Sequence, residues 1–130
     1  MNATNHAKEQ ARAQLDSIVE LIAALTDAEE SGSWRKHDEA TEAIHEDALE
    51  IQVGSGWTTP GEELKREEFY ILLCTGGPAV RILGSFDRFD SLTDCLLQYQ
   101  DWGTGWINYH DTTVEEDEAI ERYCNQFFPG

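Results

Sequence analysis

Hydrophobic positions recur in two different rhythms along this chain. Leu15, Ile18, Val19, Ile22 and Leu25 repeat at intervals of three and four and make one apolar stripe, so a first helix is predicted from about Ala7 to Asp27. Ser31-Gly32-Ser33 ends it. A second helix is predicted from about Lys36 to Ala48, with Ala40, Ala43, Ile44 and Leu49 as a narrow buried face that places it on the outside of the fold. From Leu49 the period falls to two: Leu49, Ile51 and Val53 alternate with Glu50 and Gln52, the pattern of a strand closed by Gly54-Ser55-Gly56.

The run FYILLC, Phe69 to Cys74, is short and rich in strand formers and reads as a central strand. Thr75-Gly76-Gly77-Pro78 turns the chain into AVRIL, Ala79 to Leu83, and the pair reads as a hairpin. Cys95 to Gln100 puts Cys95, Leu97 and Tyr99 on one face of a further strand, with a short helix over SLTDCLLQY as the competing reading. A last helix starts at Thr112 or Thr113, where Glu115 and Glu116 complete a capping-box pattern, and buries Ile120, Tyr123, Cys124 and Phe127. The fold class is α+β: one domain over 1–130, with an N-terminal helix in 1–33, an acidic helix in 34–48, an antiparallel meander of three to four strands in 49–110 and an acidic C-terminal helix in 111–130.

Composition changes this picture in one respect, charge. The chain has 130 residues, 40% of them hydrophobic and thirteen aromatic, enough for a packed core. It also has 26 acids against 9 Lys and Arg, a formal charge of −17. Such a surface repels nucleic acid and anionic membranes, so neither is an expected direct ligand, and the natural partner is a basic protein surface. Cys74, Cys95 and Cys124 are odd in number and lie in apolar segments, which reads as buried free thiols in a reducing cytoplasm. With no secretory segment after Met1 and no apolar run near the roughly 20 residues that span a bilayer, a soluble cytoplasmic protein is expected.

The acids are concentrated. Residues 9–30, 38–50 and 111–121 hold six each, with only Arg12 among them. Between Asp38 and Glu50, Asp38, Glu42 and Glu46 stack along one helical face, and Glu39, Glu46 and Glu50 nearly line up beside them. Read as one helix of about 20 Å, the segment presents a carboxylate every ~3.3 Å of axis, close to the ~3.4 Å phosphate spacing on one strand of B-DNA. A solvated face is the simpler explanation of such a run, and mimicry of a polyanion the more specific one. In the last helix Glu115, Glu116, Asp117, Glu118 and Glu121 form a second patch, of which the first-turn helix dipole explains one or two.

Candidate chemistry is sparse. Glu42-x-x-His45 is half of a di-iron carboxylate motif and has no second copy, so no metal site is expected. No nucleophile signature, phosphate loop or Cys-x-x-Cys pair is present, so neither a catalytic residue nor a cofactor is assigned and no enzyme is expected. The segment YQDWGTGWINYHD concentrates Trp102, Trp106 and Tyr109 among glycines. It reads as core packing, with Trp57 in the same cluster, or alternatively as an interface anchored by Trp102 and Trp106.

The run EAIHEDALEIQVGSGWTTPGEELKREEFYILLCTGGPAVRI, then YQDWGTGW and DTTVEEDEAIERYCNQFF, resembles a family of small acidic proteins of proteobacterial integrative elements and plasmids. The resemblance covers about residues 40–130 and is most specific in GWTTPGEEL and LLCTGGPA; Arg66 and Gly105 stand where the pattern has proline. Small acidic proteins of such elements resemble anti-CRISPR and anti-restriction inhibitors, some of them DNA mimics. The resemblance implies a mobile-element setting; the leading reading within it is an inhibitor whose partner is the basic DNA-binding surface of a host CRISPR effector, or of a restriction enzyme. The expected contacts are Asp38, Glu39, Glu42, Glu46, Asp47 and Glu50, then the 115–121 patch. A non-mimic interaction module using Trp102 and Trp106 is the runner-up, and a small enzyme comes third.

Overall fold

The computed structural model describes residues 3–101 and 104–128. Helix α1, Ala3–Ser31, is followed by α2, Trp34–Asp47. Five strands follow, β1 Glu50–Ser55, β2 Arg66–Cys74, β3 Ala79–Phe86, β4 Leu92–Gln100 and β5 Ile107–Asn108, and α3, Val114–Asn125, closes the chain. The strands lie in sequence order in one antiparallel sheet, β1-β2-β3-β4-β5. Among the described residues no helix is long and apolar enough to cross a membrane.

Alternation along the strands decides where the core lies. Phe69, Ile71 and Leu73 of β2, Val80, Ile82 and Phe86 of β3, and Leu97 and Tyr99 of β4 are buried on one face. Helix α1 lays Ala7, Ala11, Leu15, Ile18, Ile22, Leu25 and Ala28 against that face, and α3 adds Ala119, Ile120, Tyr123 and Cys124. Helix α2 reaches the core only through Ala40 and Ile44, four residues apart, and packs on α1. All three helices therefore form one layer, and among the described residues the opposite face of the sheet carries no helix. Gly84 is required inside this core, since a Cβ there would meet the Phe69 ring at 2.4 Å.

Several sequence-based expectations need correction. The sheet has five strands rather than three or four. The fifth is two residues long, within the glycine-rich aromatic segment, and pairs Tyr99 with Ile107 and Gln98 with Asn108. The strand expected over Cys95 to Gln100 is present, as β4, and begins three residues earlier, at Leu92. Its first half hid its period because the β3–β4 register shifts between Leu83 and Ser85, with Asp94 at φ 52° nearby. Trp57 is fully exposed in the loop after β1 instead of joining the core. The thiols are free as expected, but only Cys124 is buried, Cys74 and Cys95 being half-buried.

Candidate partner-binding interface

The acidic surface is built from helix termini upward. Gly32, at φ 71°, releases the chain from α1, and Ser33 then caps α2 by accepting the Lys36 N–H at 3.3 Å. With only Ala40 and Ile44 turned inward, Asp38, Glu39, Glu42 and Glu46 all stand exposed. Among the described residues one ion pair touches them, from Arg35 to Glu39 at 3.4 Å, and both side chains are well exposed. Such a pair contributes at most about 0.5 kcal/mol.

Two residues of this expected face have other roles. Asp47, in the last turn of α2, accepts the Tyr123 hydroxyl at 2.7 Å and ties α2 to α3. Burial first, then hydrogen bonding to the Asp47 carboxylate, pushes the Tyr123 hydroxyl far above the usual phenol range. Glu50 is not on the helix. Ala48 is already extended, with ψ 134°, and Glu50 opens β1 on the helix-free face of the sheet, where it accepts from the Tyr70 hydroxyl at 2.9 Å and from Gln52 at 2.8 Å.

Helix α3 divides its acids in the same way. Thr113 accepts the Glu116 N–H at 3.1 Å while the Glu116 carboxylate accepts the Thr113 N–H at 2.9 Å, the reciprocal capping box predicted from sequence. The other oxygen of Glu116 meets the Arg12 guanidinium at 2.5 Å. That hydrogen bond, more than any other contact, holds the Glu116 carboxyl below its ordinary range. Glu116 is thus a fastener between α1 and α3, while Glu115, Asp117, Glu118 and Glu121 are exposed.

The layer contains acids that were counted in the sequence but not assigned to the interface. The three helices hold sixteen acids and five Lys and Arg. Four of the sixteen are ion-paired: Asp16, Glu29, Glu39 and Glu116. Setting those and Asp47 aside leaves eleven, all exposed, including Glu9, Glu20, Asp27 and Glu30 of α1. The signal for the α1 contribution was the acid density of 9–30. What sequence could not supply was that α1 lies in one layer with α2 and α3.

The open sheet face is chemically different. Arg81, Gln98 and Asn108 are directly opposite one another on β3, β4 and β5. Arg81 Nε donates to Gln98 Oε1 at 2.9 Å, and Gln98 Nε2 donates to Asn108 Oδ1 at 2.8 Å. Trp106 is half-buried here with the Arg81 guanidinium 4.1 Å from its ring, and Gln98 beneath them is only 7% exposed. Desolvation lowers the Arg81 pKa. Trp106 is therefore engaged in a polar network rather than standing free as an anchor; Trp102, its expected companion, lies outside the described residues.

Neither region forms a metal centre: among the described residues no group of three His, Cys, Asp or Glu could hold an ion. His45 instead sets its ring against Phe127, 5.1 Å between centroids. The arrangement offers a polyanionic surface on the layer formed by the three helices. No protein-family model, no curated protein and no solved structure matches this chain.

Proposed function

We propose that this protein is an anti-CRISPR-type inhibitor, an acidic DNA mimic whose helical layer occupies the DNA-binding surface of a host CRISPR effector. The observation that carries the reading is the set of eleven exposed carboxylates on α1, α2 and α3 that no Lys or Arg neutralises among the described residues. On α2, Asp38, Glu39, Glu42 and Glu46 span about 12 Å of helix axis. This is a shorter face than the sequence suggested, because the helix stops at Asp47, and its four carboxylates still stand a mean of about 4 Å apart along the axis, against the ~3.4 Å of a DNA strand.

CRISPR effectors hold duplex and displaced strand largely through Lys and Arg contacts to the backbone, so carboxylates can compete without reading bases. A restriction enzyme is the alternative target within the same class. The engagement of Trp106 with Arg81, itself held by Gln98, favours the acidic layer over an aromatic contact. The test is an order-of-addition assay with purified effector, target duplex and this protein at two salt concentrations. A mimic competes with duplex for one site and binds more weakly as salt rises. A stable ternary complex of effector, duplex and this protein would sink the reading.

A further inference from the structure

The first strand of the sheet is left open in two ways at once. β1 pairs with β2 on one side, and its other edge pairs with no strand among the described residues, so alternate backbone N–H and C=O groups along that edge point outward. The helical layer also stops short of it. Ile51 and Val53 stand opposite buried Ile71 and Phe69 and so share the core side of the sheet, yet they are 39% and 54% exposed, with Leu49 beside them also exposed. Natural edge strands are blunted by Lys, Pro, inward-pointing charges or cover. Charged side chains and β-bulges serve the same end; β1 has Glu50 on its helix-free face and a register shift only at its far end, Gly54/Ser55, while its core-side positions Ile51 and Val53 carry no charge, no Pro and no full cover. An apolar strip beside an unpaired backbone edge is the arrangement that accepts an added strand.

The charge around this edge selects the occupant. The nineteen residues from Glu46 to Leu64, which contain all of β1, hold five acids and not one Lys or Arg, and Glu67 and Glu68 lie on the neighbouring strand; Lys65 and Arg66 follow only at the far end, opposite Ser55, where Arg66 is paired with Asp90. A second copy would bring two such strips together, whereas a segment carrying Lys or Arg would find opposite charge. We propose that β1 is a docking edge for an extended, basic segment of the partner protein. That segment adds as a sixth strand, placing apolar side chains on Ile51 and Val53 and basic ones toward Glu50 and Glu68. The proposal takes from the inhibitor reading only the sign of the partner's charge.

The probe is a synthetic peptide of about ten residues alternating Val and Lys, long enough for a full strand. Controls are the same peptide with Pro at its two central Val positions and an alternating Val/Glu peptide. Binding is measured by calorimetry at about 0.15 M salt, and the docking place by amide hydrogen exchange. The Val/Lys peptide is expected to slow exchange within β1, and the Pro peptide to bind at least about tenfold more weakly. The Ile51→Lys/Val53→Lys protein should lose about tenfold as well, and Ile51→Thr/Val53→Thr, which keeps strand propensity, should lose less.

Equal binding of the Pro peptide, protection away from β1, or no binding would overturn the proposal. So would a dimer in sedimentation equilibrium that Ile51→Lys/Val53→Lys dissociates, since the edge would then belong to a second copy. Failure of the peptide to dock sinks the strand site and leaves competition with duplex untouched. Loss of competition while the peptide still docks does the reverse.

Discussion

The helical layer and the open sheet face use the same acidic residue type to opposite ends. On the sheet, Glu50 is held by two donors, Tyr70 and Gln52, and Arg81 is fixed by Gln98 and Trp106. On the helices, Glu116 and Asp47 are fixed in the same manner, but Asp38, Glu42, Glu46 and eight others stand in water with like charges for neighbours. Like-charge pairs at i,i+4 cost a few tenths of a kcal/mol each, and α2 carries two of them in a row. A fold gains nothing from that arrangement. Composition alone cannot separate a structural carboxylate from a free one, and the partner each finds does.

The largest expected effect comes from breaking that contrast. Changing Asp38, Glu39, Glu42 and Glu46 to Lys shifts the charge by two at each position and takes the formal net charge from −17 to −9. Association with the effector, followed by stopped-flow at low salt, should slow by about 10- to 1,000-fold, the range that electrostatic steering supplies. Thermal stability should hold or rise. The Arg81→Ala and Trp106→Ala proteins serve as the opposite arm, with association rates within about twofold of the parent, because Trp106→Ala leaves the charge unchanged and Arg81→Ala moves it only from −17 to −18. The reverse ranking would move the interface to the sheet.

The next effects concern stability and fall on the fixed groups. Tyr123→Phe removes the only described donor to Asp47 and should cost about 1–3 kcal/mol in urea unfolding, against within about 0.5 kcal/mol for Glu46→Gln. The pH dependence has a definite sign. The hydroxyl of Tyr123 is raised in the fold, so its contribution is complete below the ordinary tyrosine value of 10.0 and is lost as pH climbs beyond it. Melting temperature should therefore fall from pH 9 toward pH 11 more steeply in the parent than in Tyr123→Phe. On the other face Arg81→Ala leaves Gln98 Oε1 without its donor in a nearly buried position, at about 1–2 kcal/mol.

Legibility in the sequence followed the strength of each local signal. The α1 stripe, the β2–β3 hairpin and the Thr113–Glu116 capping box were readable because each rests on spacing within a few residues. β5 was not, since a two-residue strand has no period of its own and exists only because Tyr99 and Gln98 offer partners. Among the candidate contacts, Asp38, Glu39, Glu42 and Glu46 lie together as expected. Glu50 left the set because its neighbour Ala48 is extended, and Asp47 and Glu116 because Tyr123 and Arg12 arrive from 76 and 104 residues away. Long-range partners of that kind leave no trace in a local pattern. The same gap hid the exposed edge: alternation correctly placed Ile51 and Val53 on the core side of a strand, but not where the helical cover ends.

The smallest effect is the response of stability to salt. Asp16/Glu20, Asp38/Glu42, Glu42/Glu46 and Asp117/Glu121 are i,i+4 acid pairs, together opposing folding by about 1–2 kcal/mol at low ionic strength. Raising salt from about 0.02 M to 0.5 M shortens the screening length from roughly 20 Å to about 4 Å and removes much of that repulsion. Screening also weakens the attractive pairs, but Arg12–Glu116 is half-buried on the Glu116 side and is screened less, while Arg35–Glu39 contributes little at any salt. Net repulsion therefore dominates. The melting temperature should rise by about 3–6 °C, as about 1 kcal/mol does in a domain of this size. The four-Lys protein, which converts Asp38/Glu42 and Glu42/Glu46 from acid pairs to base pairs, keeps their local repulsion but loses half of the global excess. Its salt slope should fall without vanishing. A slope unchanged by the four reversals would place the repulsion on α1 and α3 and leave α2 outside the acidic surface that sets it.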